Sequence, residues 1–67
     1  MLSIARIKDE LPDVTVQIGR KIYRGRLTGR TCDFPTVTVS LGHTVWHATY
    51  SWQAICRAVE FNTPLAG

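Results

Sequence analysis

Residues 13–26 read DVTVQIGRKIYRGR, and this stretch decides the fold. Apolar and polar residues alternate over its first six positions, which is the period of a half-buried β-strand. Gly19 follows as the first central residue of a two-residue turn, where glycine favours type II′ geometry. The turn fixes the register of a hairpin, which pairs Ile18 with Lys21, Val16 with Tyr23, Val14 with Gly25 and Asp13 with Arg26.

A second hairpin is predicted over residues 36–50. Gly42 again opens a two-residue turn, between the run 36–41 and the run 44–50. Its register sorts the strands into an apolar and a polar side. The apolar pairs are Val39 with Trp46 and Val37 with Ala48, and the polar side pairs Ser40 with Val45, Thr38 with His47 and Thr36 with Thr49.

Helices are predicted at both ends of the chain. Residues 3–11 carry apolar positions at helical spacing, with Ser3 as N-cap and Pro12 as a stop signal. Ser51 is a good N-cap for a second helix, which should end near Asn62 and Pro64. The inner face of this helix is predicted to contain Trp52, Ile55, Cys56 and Val59.

These elements predict one small α+β domain over residues 1–67. Two consecutive antiparallel hairpins form a four-stranded sheet, for which an SH3-like arrangement is one expectation, and the C-terminal helix packs on it. Only about 60% of the unfolded surface is buried at this length, so stability is marginal and a homodimer is a natural expectation. No apolar run is long enough for a membrane span, and no secretory signal is evident, so a cytoplasmic location with reduced thiols is predicted.

A cluster of basic residues lies on the first hairpin and the loop that follows it. Five cations fall within residues 20–30, and the formal net charge of the chain is +3. Alternate residues of a strand share a side at about 7 Å spacing, which is expected to place Arg24, Arg26 and Arg30 on one side, where they could bind successive phosphates. The predicted nucleic-acid-binding residues are Arg20, Lys21, Arg24, Arg26, Arg30 and His47. The competing interpretation is a solvated polar face of a half-exposed sheet.

Neither a metal site nor a catalytic site is predicted. The chain has two cysteines and two histidines, but their spacing lacks the close ligand pairs of structural zinc sites. Its five carboxylates are not placed next to either histidine by the predicted registers. We therefore expect no cofactor and no enzyme activity. Phe34 and Phe61 are the aromatic residues expected to be exposed.

Two segments together resemble a known family. They are Val14-Thr15-Val16 with Tyr23-Arg24-Gly25-Arg26-Leu27, and the run Tyr50-Ser51-Trp52-Gln53-Ala54-Ile55-Cys56-Arg57-Ala58-Val59. In this respect the chain resembles the RAMA-type small modules of bacterial restriction, defence and mobile-element proteins. The resemblance implies short strands that lead into an aromatic-Ser turn and an Ala-rich helix, with a DNA-binding role.

The sequence therefore favours a small nucleic-acid-associated binding module from a phage or mobile element. The alternative is a small phage-type inhibitor, of an anti-defence or anti-CRISPR-like kind, that binds a host protein. A basic polar sheet face suits an acidic protein surface as well as it suits phosphates. The sequence leaves both partners open.

Overall fold

The computed structural model describes residues 4–10 and 13–67. In these ranges the chain forms two helices and one five-stranded sheet, with strand order β4-β3-β2-β1-β5. The elements are α1 (Ile4–Glu10), β1 (Asp13–Ile18), β2 (Lys21–Thr28), β3 (Thr36–Leu41), β4 (Thr44–Thr49), α2 (Trp52–Glu60) and β5 (Leu65–Ala66). The predicted α+β class is confirmed. No helix within the described ranges has the length and apolar character needed to cross a membrane.

Both predicted hairpin registers are confirmed. Val16 is paired with Tyr23 between β1 and β2, and Val39 with Trp46 between β3 and β4. Gly19 has φ +65° and Gly42 has φ +74°, whereas neither residue that follows them adopts a positive φ. A positive φ at the first central residue alone distinguishes a type II′ turn from a type I′ turn, so the two glycines set both registers.

The core lies between one face of the sheet and both helices. Its buried residues alternate along the first three strands, as the period of two predicts. Trp52 and Ile55 of α2 and Ile7 of α1 belong to the same cluster. The strand members of the core are Val14, Val16, Leu27, Val37, Val39 and Leu65.

Both ends of α2 have side-chain or backbone caps. The Ser51 hydroxyl oxygen accepts from the Ala54 N–H at 3.2 Å, as expected of an N-cap residue. At the other end, the Thr63 N–H donates to the Ala58 carbonyl at 2.9 Å, and the Asn62 N–H donates to the Val59 carbonyl. These two bonds form a Schellman motif, and Asn62 has the left-handed φ of +54° that this motif requires.

The N-terminal helix predicted over residues 3–11 is present as α1. Ile7, at one of its apolar positions, is 4% exposed and joins the core. The proposed N-cap Ser3, the apolar Leu11 and the stop signal Pro12 lie outside the described residues.

The fifth strand was not predicted from the sequence, and it makes the sheet mixed rather than purely antiparallel. β5 pairs in parallel with β1, with Leu65 beside Val16. The Gly67 N–H also donates to the Gln17 carbonyl at 2.9 Å. A two-residue strand is too short for alternation to be recognised, and it forms here because α2 returns the chain to the free edge of β1. The SH3-like arrangement of the other strands stays a prediction.

Tyr50, the residue that follows β4, is hydrogen-bonded to β5. Its hydroxyl donates to the Ala66 carbonyl at 2.7 Å, and burial raises the pKa of the phenol above its ordinary value of 10.0. A raised folded-state pKa means that the neutral phenol stabilises the fold below the unfolded pKa, and that this stabilisation is lost as pH rises through the folded pKa.

We therefore expect the melting temperature to fall more steeply above about pH 10 in the wild-type protein than in Tyr50→Phe. At neutral pH the variant should lose only the hydrogen bond, worth about 0.5–1.5 kcal/mol. Thermal melts at neutral and alkaline pH measure both effects. If the melting temperatures of the two proteins fell equally steeply as the pH rose above about pH 10, the Tyr50 hydroxyl would not link stability to pH.

Candidate nucleic-acid interface

Buried residues of both helices share one cluster with the inward-facing strand residues, and the strand residues on the opposite side of the sheet are mostly exposed. We call this opposite side the outer face. Helix residues Ile7, Trp52 and Ile55 pack with the inward-facing strand residues, and alternation directs the others away from them. The outer face consists of Asp13, Thr15, Gln17, Ile22, Arg24, Arg26, Thr28, Thr36, Thr38, Ser40, Val45, His47 and Thr49.

Arg24 and Arg26 occupy the centre of the outer face. They lie on β2, the middle strand of the sheet, and both side chains are exposed. Among the described residues, no side chain or carbonyl hydrogen-bonds or ion-pairs with either guanidinium. Both cations are thus available to a ligand that approaches this face.

One row of paired residues crosses four strands through Arg26. The registers place Asp13 of β1 opposite Arg26, Arg26 opposite Thr38 of β3, and Thr38 opposite His47 of β4. Facing residues of adjacent strands have Cβ atoms about 4.5–5.5 Å apart. The row therefore places a cation, a hydroxyl and an imidazole side by side, with a carboxylate at its β1 end.

The remaining predicted cations lie away from the centre. Arg20 is in the exposed turn between β1 and β2. Lys21 begins β2 opposite Ile18, on the side of the strand that also carries Tyr23 and Leu27, so it does not belong to the outer face. Arg30 follows the end of β2, and one of its guanidinium nitrogens donates to the Lys8 carbonyl at 2.6 Å. The strand alternation that was expected to align Arg30 with the other two arginines stops at Thr28, and the half-buried Arg30 instead joins the loop to α1.

The aromatic residues divide as the pattern predicts. Tyr23 and Trp46 are half-buried against the core, and Trp52 is buried within it. Phe34 and Phe61 are 61% and 67% exposed, respectively. Neither belongs to a strand, so neither adds a stacking surface to the outer face.

A groove of about 410 Å³ lies where the start of β1 approaches the end of α2. Its apolar lining includes Val14 and Val59, and its polar lining includes Thr15, Arg24 and Asn62. Sequence reasoning missed this groove because it depends on how the Schellman turn directs the chain past β1. Asn62 and Pro64 were the local signals for the end of α2, but neither indicates where the chain passes β1. Arg24 thus borders both the outer face and the groove.

The described residues contain no group of three or more histidine, cysteine or acidic side chains that could hold a metal ion. Cys32 is an exposed free thiol in the loop between β2 and β3. Cys56 is half-buried on α2 and forms no disulfide with the described residues. The expectation that the protein is not an enzyme stays a prediction.

Comparisons with known proteins found no matching family model, no matching curated protein and no matching solved structure. The RAMA-type resemblance therefore stays a prediction. The candidate interface depends on the geometry of the outer face.

Proposed function

We propose that this protein is a small nucleic-acid-binding module that contacts the phosphate backbone through its outer face. The observation that carries the proposal is the exposed pair Arg24 and Arg26 on the middle strand, without a partner among the described residues. An isolated pair of cations is common on protein surfaces, but here hydroxyl side chains lie beside it on three strands, with Thr15 on β1, Thr28 on β2 and Thr38 on β3. Arginine and such hydroxyls are the groups that usually contact phosphate and sugar.

The shape of the outer face favours binding without strong sequence preference. Reading base edges in a major groove requires an inserted helix or a two-stranded ribbon. Both helices contribute to the core from the inner side, and the outer face is a broad sheet surface. Backbone contacts should therefore dominate, and affinity should depend steeply on salt.

The salt dependence provides a count of the phosphate contacts. Each phosphate neutralised on duplex DNA contributes about −0.9 to the slope of log affinity against log salt. With Arg24, Arg26 and Arg20 engaged, we expect a slope of about −2.7 for the wild-type protein. Replacing both Arg24 and Arg26 with Gln should make the slope shallower by about 1.8, measured by fluorescence anisotropy with a labelled duplex.

Matched variants test whether binding depends on the outer face or only on the net positive charge of the protein. Arg57 is exposed on α2, away from the outer face. Arg57→Gln removes one positive charge, as Arg26→Gln does, but it should leave the slope of log affinity against log salt unchanged. Asp13→Asn removes the carboxylate opposite Arg26 and should strengthen binding. Equal effects of Arg26→Gln and Arg57→Gln would contradict the outer face as the site. Absence of binding at about 50 mM salt would contradict nucleic-acid binding itself.

A second candidate function is supported by two apolar residues on the same face. Ile22 is 61% exposed and Val45 is 63% exposed, and such residues suit a protein interface better than a phosphate backbone. In this alternative the protein is a small inhibitor that binds an acidic surface of a host protein. Capture from host lysate with and without nuclease distinguishes the two, because only a directly bound protein survives nuclease treatment.

An origin in a phage or mobile element and a cytoplasmic location are part of the same proposal. They rest on the RAMA-type resemblance and on the sequence character of the chain. Both candidate functions place the partner in the compartment where nucleic acid and defence proteins meet.

A further inference from the structure

The two edges of the sheet are protected to very different degrees. At the β1 edge, the two-residue β5 and the Gly67–Gln17 hydrogen bond cover the second half of β1. At the other edge, β4 presents six residues with no further strand beside them in the described structure. Natural proteins usually protect an edge strand with lysine, proline, a bulge or a short length. β4 has six residues, TVWHAT, and contains neither lysine nor proline.

The register shows which backbone groups β4 offers. The pair next to a two-residue turn is hydrogen-bonded, so Thr44, Trp46 and Ala48 direct their N–H and carbonyl groups towards β3. The backbone groups of Val45, His47 and Thr49 consequently point away from the sheet. Within residues 4–10 and 13–67, no backbone hydrogen bond of a turn, loop or cap involves these three residues.

We propose that β4 pairs with β4 of a second copy of this chain, antiparallel and centred on His47. This register places His47 opposite His47 of the second copy, and Val45 opposite Thr49. All three outward-facing residues are then paired, with about six hydrogen bonds across the two-fold axis. The inference concerns the sheet edge and does not rest on the proposed function.

Side-chain sizes on the inner side select this register. It places Trp46, which is half-buried against the core, opposite Ala48 of the second copy, so a large residue meets a small one twice. A shift by two residues would oppose Trp46 to Trp46 or Ala48 to Ala48, and would leave one outward-facing residue unpaired. β4 contains no lysine, arginine, aspartate or glutamate, so self-pairing brings no like charges of these residues together.

The small size of the domain favours a second copy of the chain as the partner of β4. A domain of 67 residues buries only about 60% of the surface that its unfolded chain exposes, and pairing of edge strands extends both the sheet and its core. The pairing also makes the outer faces of the two copies continuous. Arg24 and Arg26 would then occur twice on one ten-stranded surface.

Sedimentation equilibrium over a range of concentrations tests the proposal. We expect the wild-type mass to rise from 7.5 kDa towards twice that value. His47→Lys places two ammonium groups face to face at the axis and should keep the protein monomeric. Ser40→Lys adds the same charge to an exposed position of β3, away from the edge, and should dimerise like the wild type.

Amide hydrogen exchange of the unmodified protein gives a second measurement that does not depend on a variant. The amides of Val45, His47 and Thr49 should exchange more slowly at high than at low concentration, whereas the amide of Ser40 should not respond. A wild-type protein that stays monomeric, or His47→Lys that dimerises like the wild type, would overturn the proposal. Exchange at these three amides that is independent of concentration would also overturn it.

Discussion

Replacing Trp52 with alanine is expected to unfold the domain. Trp52 is 6% exposed, at the first position of α2, and its side chain joins four parts of the structure. The indole N–H donates to the Cys32 carbonyl at 2.8 Å, and the Lys8 ammonium lies 5.2 Å from the ring centroid. The ring therefore links the β2–β3 loop, α1, α2 and the core.

The expected cost of this change is comparable to the whole stability of the domain. Truncating a buried Trp to Ala costs about 3–5 kcal/mol, and the net stability of a domain of this size is about 3–5 kcal/mol. Circular dichroism melts should show no cooperative transition for Trp52→Ala. Trp52→Phe keeps one aromatic ring but removes the pyrrole part of the indole together with its N–H donor, so it should remain folded and lose more than the about 0.5–1.5 kcal/mol of the hydrogen bond but less than Trp52→Ala. A cooperative melt of Trp52→Ala near the wild-type temperature would contradict this role.

Replacing Gly25 with alanine is the second change with a large expected effect. Gly25 is buried on β2, and an added Cβ would overlap Cγ1 of Val37 and lie 3.3 Å from Cγ2 of Val39. Backbone entropy alone favours alanine over glycine in a strand by about 0.5–1 kcal/mol. Overpacking a tight core costs about 1–3 kcal/mol, and Val37 is fully buried and stiff at χ1. The steric cost should therefore win, and Gly25→Ala should be destabilising.

A double-mutant cycle identifies the cause. Val37→Ala removes the methyl group that the new Cβ would overlap, so Gly25→Ala should cost less in the Val37→Ala background than in the wild type. Urea denaturation of the four proteins measures the coupling. Additive effects of the two substitutions would show that contact with Val37 is not what excludes a side chain at position 25.

The hairpins could be predicted because each depends on local chemistry. Alternation over residues 13–18 and a glycine at each turn determined which residues pair, and the structure has the same pairs. The ends of α2 followed from Ser51 and Asn62 for the same reason. Neighbouring residues carry enough information for these features.

Features that depend on distant contacts could not be predicted in this way. β5 forms only because α2 returns the chain to β1, and two residues show no period. Arg30 was expected beside Arg24 and Arg26, but its position is decided by the Lys8 carbonyl, 22 residues away in sequence. The central placement of Arg24 and Arg26 depended on the strand order, which local patterns do not determine.

The most direct test of the central claim is an NMR titration of the ¹⁵N-labelled protein with a short DNA duplex at low salt. If the outer face binds phosphates, the amide signals of Arg24, Arg26, Thr38 and His47 should shift in proportion to bound DNA. Signals from the exposed side of α2, such as Arg57, should remain in place. Shifts confined to α2, or no shifts at all, would contradict nucleic-acid binding through the outer face.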